Sequence, residues 1–143
     1  MKKLPTISTI LLSITLLTLP TPAYAITDDM AYKCLVGEVR GSDKETIRYT
    51  AHALRNRNTT SGVYGCDYVA PQKEIDYMRH TKKDKFIKQA WENTLNEVDP
   101  TQGATHWENI QAFGQPNKWP GNLYIITKTK LHTFYVELKG GKR

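Results

Sequence analysis

The sequence has little of what a metal site is usually built from. Only two cysteines are present, and the four histidines (His52, His80, His106 and His132) are scattered. There is no H-E-x-x-H string and no close His/Asp pair at ligand spacing. This argues against a zinc enzyme built on a local motif, although ligands converging through the fold stay open. No cofactor and no metal is expected. No segment beyond residue 25 is apolar for long enough to span a membrane, and no repeat or low-complexity tract appears there. Acids are the scarcer charge, 14 Asp and Glu against 20 Lys and Arg, for a net charge of +6.

The first 25 residues read as a secretory signal. Lys2 and Lys3 form a positive start, and Ile7 to Leu19 is apolar apart from Ser and Thr. Pro20 and Pro22 break that run, and Ala23-Tyr24-Ala25 places small residues where a signal peptidase inspects them. A retained anchor is the competing reading, but the run falls short of the roughly 20 residues that a spanning helix needs. Cleavage after Ala25 leaves residues 26–143 as one domain, secreted or periplasmic, a monomer without a stable membrane anchor. Loss of the two leader lysines lowers the charge from +6 to +4, which suits an anionic polymer or simple solubility. An even cysteine count in an exported chain points to a Cys34–Cys66 disulfide. Closing that loop contributes on the order of 3 to 4 kcal/mol.

Periodicity predicts a helix over Asp28 to Arg40, capped by Thr27 or Asp28, with Met30, Ala31, Cys34 and Leu35 on one face. Ser42-Asp43-Lys44-Glu45 has the form of a capping box. It opens a second helix to about Asn58 that buries Ile47, Thr50, Ala51 and Leu54. Thr81 caps a third, in which Phe86, Ile87, Ala90, Trp91, Leu95 and Val98 recur at helical spacing. Residues 59–80 and 103–120 read as irregular, and a loop that long is usually functional or holds short strands. Leu123 to Thr127 and Leu131 to Leu138 read as a terminal hairpin turning near Lys128-Thr129. The fold class is therefore α+β, with about three helices and a C-terminal hairpin.

The sharpest local feature is Gly37-Glu38-Val39-Arg40-Gly41. Helix C-termini disfavour negative charge, and a carboxyl that must carry a proton as a general acid suits such a place. Taken alone, the spacing favours a surface glutamate paired with Arg40 or Arg57, which is the commoner arrangement.

Four runs in order shift that balance. Gly37-Glu38-Val39-Arg40-Gly41 is followed by Ala51-His52-Ala53-Leu54-Arg55-Asn56-Arg57, then by Asp99-Pro100-Thr101-Gln102-Gly103-Ala104-Thr105-His106-Trp107. Trp119 and His132-x-Phe134-Tyr135 close the series. Together they resemble the cell-wall hydrolases typified by the spore cortex-lytic enzyme SleB, over roughly residues 34–135. The middle departs from that pattern: Pro71-Gln72-Lys73-Glu74 lacks the phenylalanine common there, and no wall-binding repeat is appended.

The resemblance implies a small lysozyme-like domain that cleaves the β-1,4 bond between N-acetylmuramic acid and N-acetylglucosamine, with Glu38 as the catalytic acid. Its partner would be the glycan strands of peptidoglycan. A lytic transglycosylase needs only that one carboxylate. A muramidase normally needs a second, for which Asp67, Glu74 and Asp76 are candidates. His106, Trp107, Trp119 and Tyr124 are candidate sugar contacts, against core packing as the commoner fate of such rings. His132 reads as a hydrogen-bonded structural histidine. Arg55, Asn56 and Arg57 are candidate contacts for muramyl carboxylates or simply a solvated helix end.

Two further readings compete. One is an inactive wall-binding protein that kept the fold. The other is nucleic-acid binding, suggested by Lys82-Lys83-x-Lys85; that run reads better as a solvated helix face, and no nucleic-acid partner is expected.

Overall fold

A computed structural model describes residues 25–67, 72–114, 119 and 121–138. The leader expected over residues 1–25 lies outside them except for Ala25, as do Pro71 and the Glu74 side chain. Six helices and three strands occur among the described residues: α1 (Asp28–Val39), α2 (Lys44–Arg57), α3 (Tyr64–Asp67), α4 (Gln72–Arg79), α5 (Lys82–Asn93), β1 (His106–Glu108), α6 (Ile110–Phe113), β2 (Leu123–Lys128) and β3 (Thr133–Glu137). The domain is α+β. Among the described residues no helix is long and apolar enough to cross a membrane.

Local chemistry explains where the helices start. The Thr27 hydroxyl accepts from the Met30 N–H and caps α1. On α2 the cap is Asp43 rather than Ser42. The Asp43 carboxylate takes both the N–H and the hydroxyl of Thr46, so it does the work of a capping box without a glutamate at the third position. Thr81 caps α5 by accepting from the Asp84 N–H.

The ends are less regular. Helix α5 stops at Asn93, short of the Val98 to which the apolar spacing extends: Leu95 is 70% and Val98 90% exposed. The Thr94 hydroxyl donates to the Trp91 carbonyl, offering that carbonyl an alternative to the helical ladder, and turns follow. The described residues between 59 and 80 include two helices, α3 and α4, where the composition reads as irregular.

Helix α1 runs through the centre. Leu35, Val36 and Val39 are fully buried, together with Ile47, Ala51 and Leu54 of α2 and Ile87 and Ala90 of α5. Met30, expected on the inner face, is exposed at 43%. The Cys34–Cys66 disulfide joins α1 to α3.

The sheet has the order β1-β3-β2, with both pairings antiparallel. The expected hairpin is therefore β2–β3, with a register shift between Ile125 and Thr127. Its turn extends through His132, because the Thr129 N–H donates to the His132 carbonyl. Strand β1, placed among irregular residues by the sequence, pairs His106, Trp107 and Glu108 with Tyr135, Phe134 and Thr133. Directly opposed residues of an antiparallel pair share a face. Trp107 and Phe134 thus point into the core, and His106 and Tyr135 lie on the other side.

Candidate functional site

Glu38 is the next-to-last residue of α1, where the helix leaves its final carbonyls unpaired and negative charge is disfavoured. Its carboxylate is held by two donors from distant segments. The backbone N–H of Gly65 donates to Oε1 at 2.5 Å. The indole N–H of Trp107 donates to Oε2 at 3.0 Å. Each oxygen keeps a second lone pair, so one more contact is available on either side, and the residue is half-buried rather than sealed. The ion pair with Arg57 that the spacing allowed does not occur: the Arg57 guanidinium donates to the carbonyls of Thr105 and Ser61.

Two glycines make this contact possible. A Cβ on Gly37 would sit 2.3 Å from the Gly65 carbonyl oxygen, and one on Gly65 would sit 2.5 Å from the Glu38 nitrogen. Both clashes are with backbone, so alanine at either position forces α1 and α3 apart and takes the Gly65 donor away from Glu38. The glycine before Glu38 is thus required for space, not for a special backbone angle.

Trp107 is aimed by a chain of contacts that begins at the end of α2. The Asn56 side chain donates to Asp99 Oδ2, Thr101 Oγ1 and the Ala104 carbonyl. Asp99 accepts in turn from the N–H groups of Thr101 and Gly103, folding residues 99–103 into a tight loop with positive φ at Gln102 and Gly103. Burial works against the Asp99 charge, but hydrogen bonds from Thr101, Asn56 and Gly103 hold its carboxyl below the ordinary range. Arg57 fixes the Thr105 carbonyl at the start of β1. Asn56 and Arg57 therefore act on the loop that delivers Trp107. Arg55 instead lies over the Trp91 ring at 3.6 Å and donates to Thr94.

On the opposite face of β1, His106 meets Trp119 edge-on at 5.5 Å, and Trp119 meets Tyr135 at 5.0 Å. Burial, with help from the Arg57 charge, lowers the proton affinity of His106. The candidate contacts His106, Trp107 and Trp119 are thus grouped around β1. Tyr124 lies on β2, exposed, and takes no part in those ring contacts.

Among the acids proposed as a second carboxylate, Asp67 is exposed at the end of α3 and Asp76 is exposed on α4, 3.8 Å from Arg79. A different acid stands out, Glu108 at the end of β1. Burial raises its pKa, and the nearby Glu38 charge raises it further, against an opposing hydrogen bond from the Asn109 N–H. Only the pairing of β1 with β3 brings it to the site, which no local pattern announces. Among the described residues no group of three His, Cys, Asp or Glu side chains is arranged to hold a metal ion.

His132 is buried and shares a 3.1 Å hydrogen bond with Thr50. Burial lowers its pKa to about 4, against a smaller opposing effect of Asp43. The unfolded chain, titrating near 6.5, therefore binds more protons between those values. The stabilisation is complete above about pH 6.5 and is lost as pH falls toward 4, to a total of about 3 kcal/mol. Circular-dichroism melts should show the melting temperature falling over that window. His132→Gln should flatten the fall; an unchanged slope would refute the assignment.

No protein-family model, no curated protein and no solved structure matches this chain.

Proposed function

We propose that this protein is an exported enzyme that cleaves the β-1,4 bond between N-acetylmuramic acid and N-acetylglucosamine in peptidoglycan, acting as a lytic transglycosylase with Glu38 as acid and then base. The observation that carries this reading is the half-buried Glu38 carboxylate, oriented by the Gly65 and Trp107 donors. The four ordered runs that resemble those of SleB-like hydrolases support it, since Trp107 of the third run donates to Glu38 of the first, and Asn56 and Arg57 of the second hold the loop that carries Trp107. The disulfide supports an extracytoplasmic setting, secreted or periplasmic.

In this reading Glu38 gives its proton to the glycosidic oxygen as the bond from the muramic C1 breaks. The N-acetylglucosamine side leaves as an alcohol, and an oxocarbenium-like centre forms at C1. The Glu38 carboxylate then takes the proton of the muramic C6 hydroxyl, and O6 bonds to C1. The product is a 1,6-anhydro ring, no water is consumed, and the carboxyl ends protonated as it began. His106 and Trp119 are the side chains proposed to contact sugar.

One observation favours a second reading, a muramidase. Glu108 is a half-buried carboxyl whose proton affinity is raised chiefly by burial and in smaller part by the charge of Glu38, and a second carboxyl near the first is what a hydrolase uses to activate water or stabilise the intermediate. Digestion of purified peptidoglycan followed by mass spectrometry separates the two. Anhydro-muramyl ends are expected. Reducing muramyl ends would transfer the second role to Glu108, and intact glycan strands with cut peptides would overturn both.

A further inference from the structure

His52 is a buried ionisable side chain that the chemistry proposed for Glu38 leaves unused. It lies on α2, and its ring stands between two carboxylates of the segment that follows α5. Nε2 is 3.5 Å from Glu97 Oε2, and Nδ1 is 3.6 Å from Asp99 Oδ1. Nε2 is buried and has no hydrogen bond among the described residues. One metal ion does not account for this arrangement, because the ring presents a different nitrogen to each acid.

Both acids are charged. The Arg48 guanidinium, 2.7 Å from the same Glu97 oxygen, holds that carboxyl below the ordinary range against burial. Burial opposes the charge of Asp99, but hydrogen bonds from Thr101, Asn56 and Gly103 outweigh it. Within this group two carboxylates face one guanidinium, which leaves one negative charge over. The other groups bonded to the two acids are neutral: Asn93 of α5 on Glu97, and Asn56, Thr101 and Gly103 on Asp99. His132, the other buried histidine packed on α2, is bonded to Thr50 and feels Asp43 instead.

A neutral imidazole carries one N–H and one bare lone pair. With an anionic oxygen facing each nitrogen, that lone pair is turned on a carboxylate, and a buried ring has no water to turn to. The imidazolium offers a donor to each acid and cancels the remaining charge.

We propose that His52 is a positioning residue and a pH sensor: as the imidazolium it draws Glu97 and Asp99 onto α2, and through Asp99 it sets the loop that aims Trp107 at Glu38. Asp99 is the shared point. Its Oδ1 faces His52 and takes the N–H and hydroxyl of Thr101, while Oδ2 takes Asn56 and the Gly103 N–H. When the ring loses its proton, one of the acids is repelled and the 99–103 loop loosens. The effect on turnover rests on Glu38 being the acid proposed above; the hold on Trp107 does not.

The test follows the His52 ring and the Trp107 indole N–H of the purified protein by NMR as pH is raised, with Trp107→Phe identifying the indole signal. The two signals should move with one shared midpoint. In His52→Gln the Trp107 signal should lose that step. Glu97→Gln alters a partly exposed side chain and decides the matter even where His52→Gln fails to fold. It removes one of the anions that favour the imidazolium, so the shared midpoint should fall to lower pH. A Trp107 step that persists in His52→Gln would belong to Glu38 and overturn the proposal, as would a midpoint that Glu97→Gln leaves in place. Muropeptide release gives the kinetic arm. His52→Gln should lower kcat by up to about tenfold in the parent, but by less than about twofold in a Trp107→Phe background, because both changes act through one contact. Equal losses in the two backgrounds would leave His52 a structural residue only. A parent that releases nothing would end the enzymatic reading, and the shared midpoint would still decide this one.

Discussion

Glu38→Gln is expected to lower the release of soluble muropeptides from purified sacculi by about 10²- to 10⁴-fold, the range that a positioned acid–base group contributes. The amide keeps the shape of the carboxylate but has no proton to give a glycosidic oxygen. It also offers one acceptor oxygen where the carboxylate offers two. One of the Gly65 and Trp107 donors is then left unpaired, at a stability cost of about 1 kcal/mol. A small fall in melting temperature is therefore expected alongside the loss of rate, and binding to insoluble peptidoglycan should persist.

Trp107→Phe isolates orientation from acidity. It keeps most of the buried ring and deletes the N–H that faces Glu38, so a loss of about tenfold is expected. An E38Q variant that retains a tenth of the parent rate would sink the acid assignment. A parent protein that binds sacculi without releasing anything, and an E38Q variant that binds equally, would make this a wall-binding module.

The parts of this fold legible in the sequence were those fixed by neighbours in the chain. The starts of α1 and α5 depend on Thr27 and Thr81, each reaching only three residues ahead. The interior of α2 follows from the spacing of Ile47, Ala51 and Leu54. Where two local signals competed, the sequence misled. Asp43 displaced Ser42 as a cap, and the apolar spacing of Leu95 and Val98 continued past the point where Thr94 takes the Trp91 carbonyl. Features set by distant partners were invisible. Strand β1 is three residues long and exists because β3 supplies its hydrogen bonds. Glu108 becomes interesting only through that pairing.

The motif runs occupy an intermediate position. They named Glu38, Asn56 and Trp107 as residues to watch. How Asn56 holds the 99–103 loop so that Trp107 meets Glu38 required the folded chain. The need for Gly37 is likewise a matter of contact with Gly65, which lies far along the sequence.

Replacing both cysteines, Cys34→Ala/Cys66→Ala, is expected to cost about 3 to 4 kcal/mol through the freedom regained by the unfolded chain. For a domain of this size that corresponds to a melting temperature lower by roughly 10–20 °C. The bond has a second consequence that stability alone would not produce. Cys34 lies one helical turn before Glu38 on the same face of α1, and Cys66 directly follows Gly65. The disulfide therefore clamps α3 to α1 beside the point where Gly37 and Gly65 touch and where the Gly65 N–H reaches Glu38. Without the clamp this short helix is held by packing and by the Gly65–Glu38 hydrogen bond itself, and the donor at Oε1 is less constantly in place. The rate of muropeptide release should consequently fall several-fold even at 15 °C, where parent and variant are both folded. Reductant should reproduce the loss in the parent and leave the double variant unchanged. A variant that melts lower but turns over at the parental rate would show that the disulfide stabilises the fold without positioning Glu38.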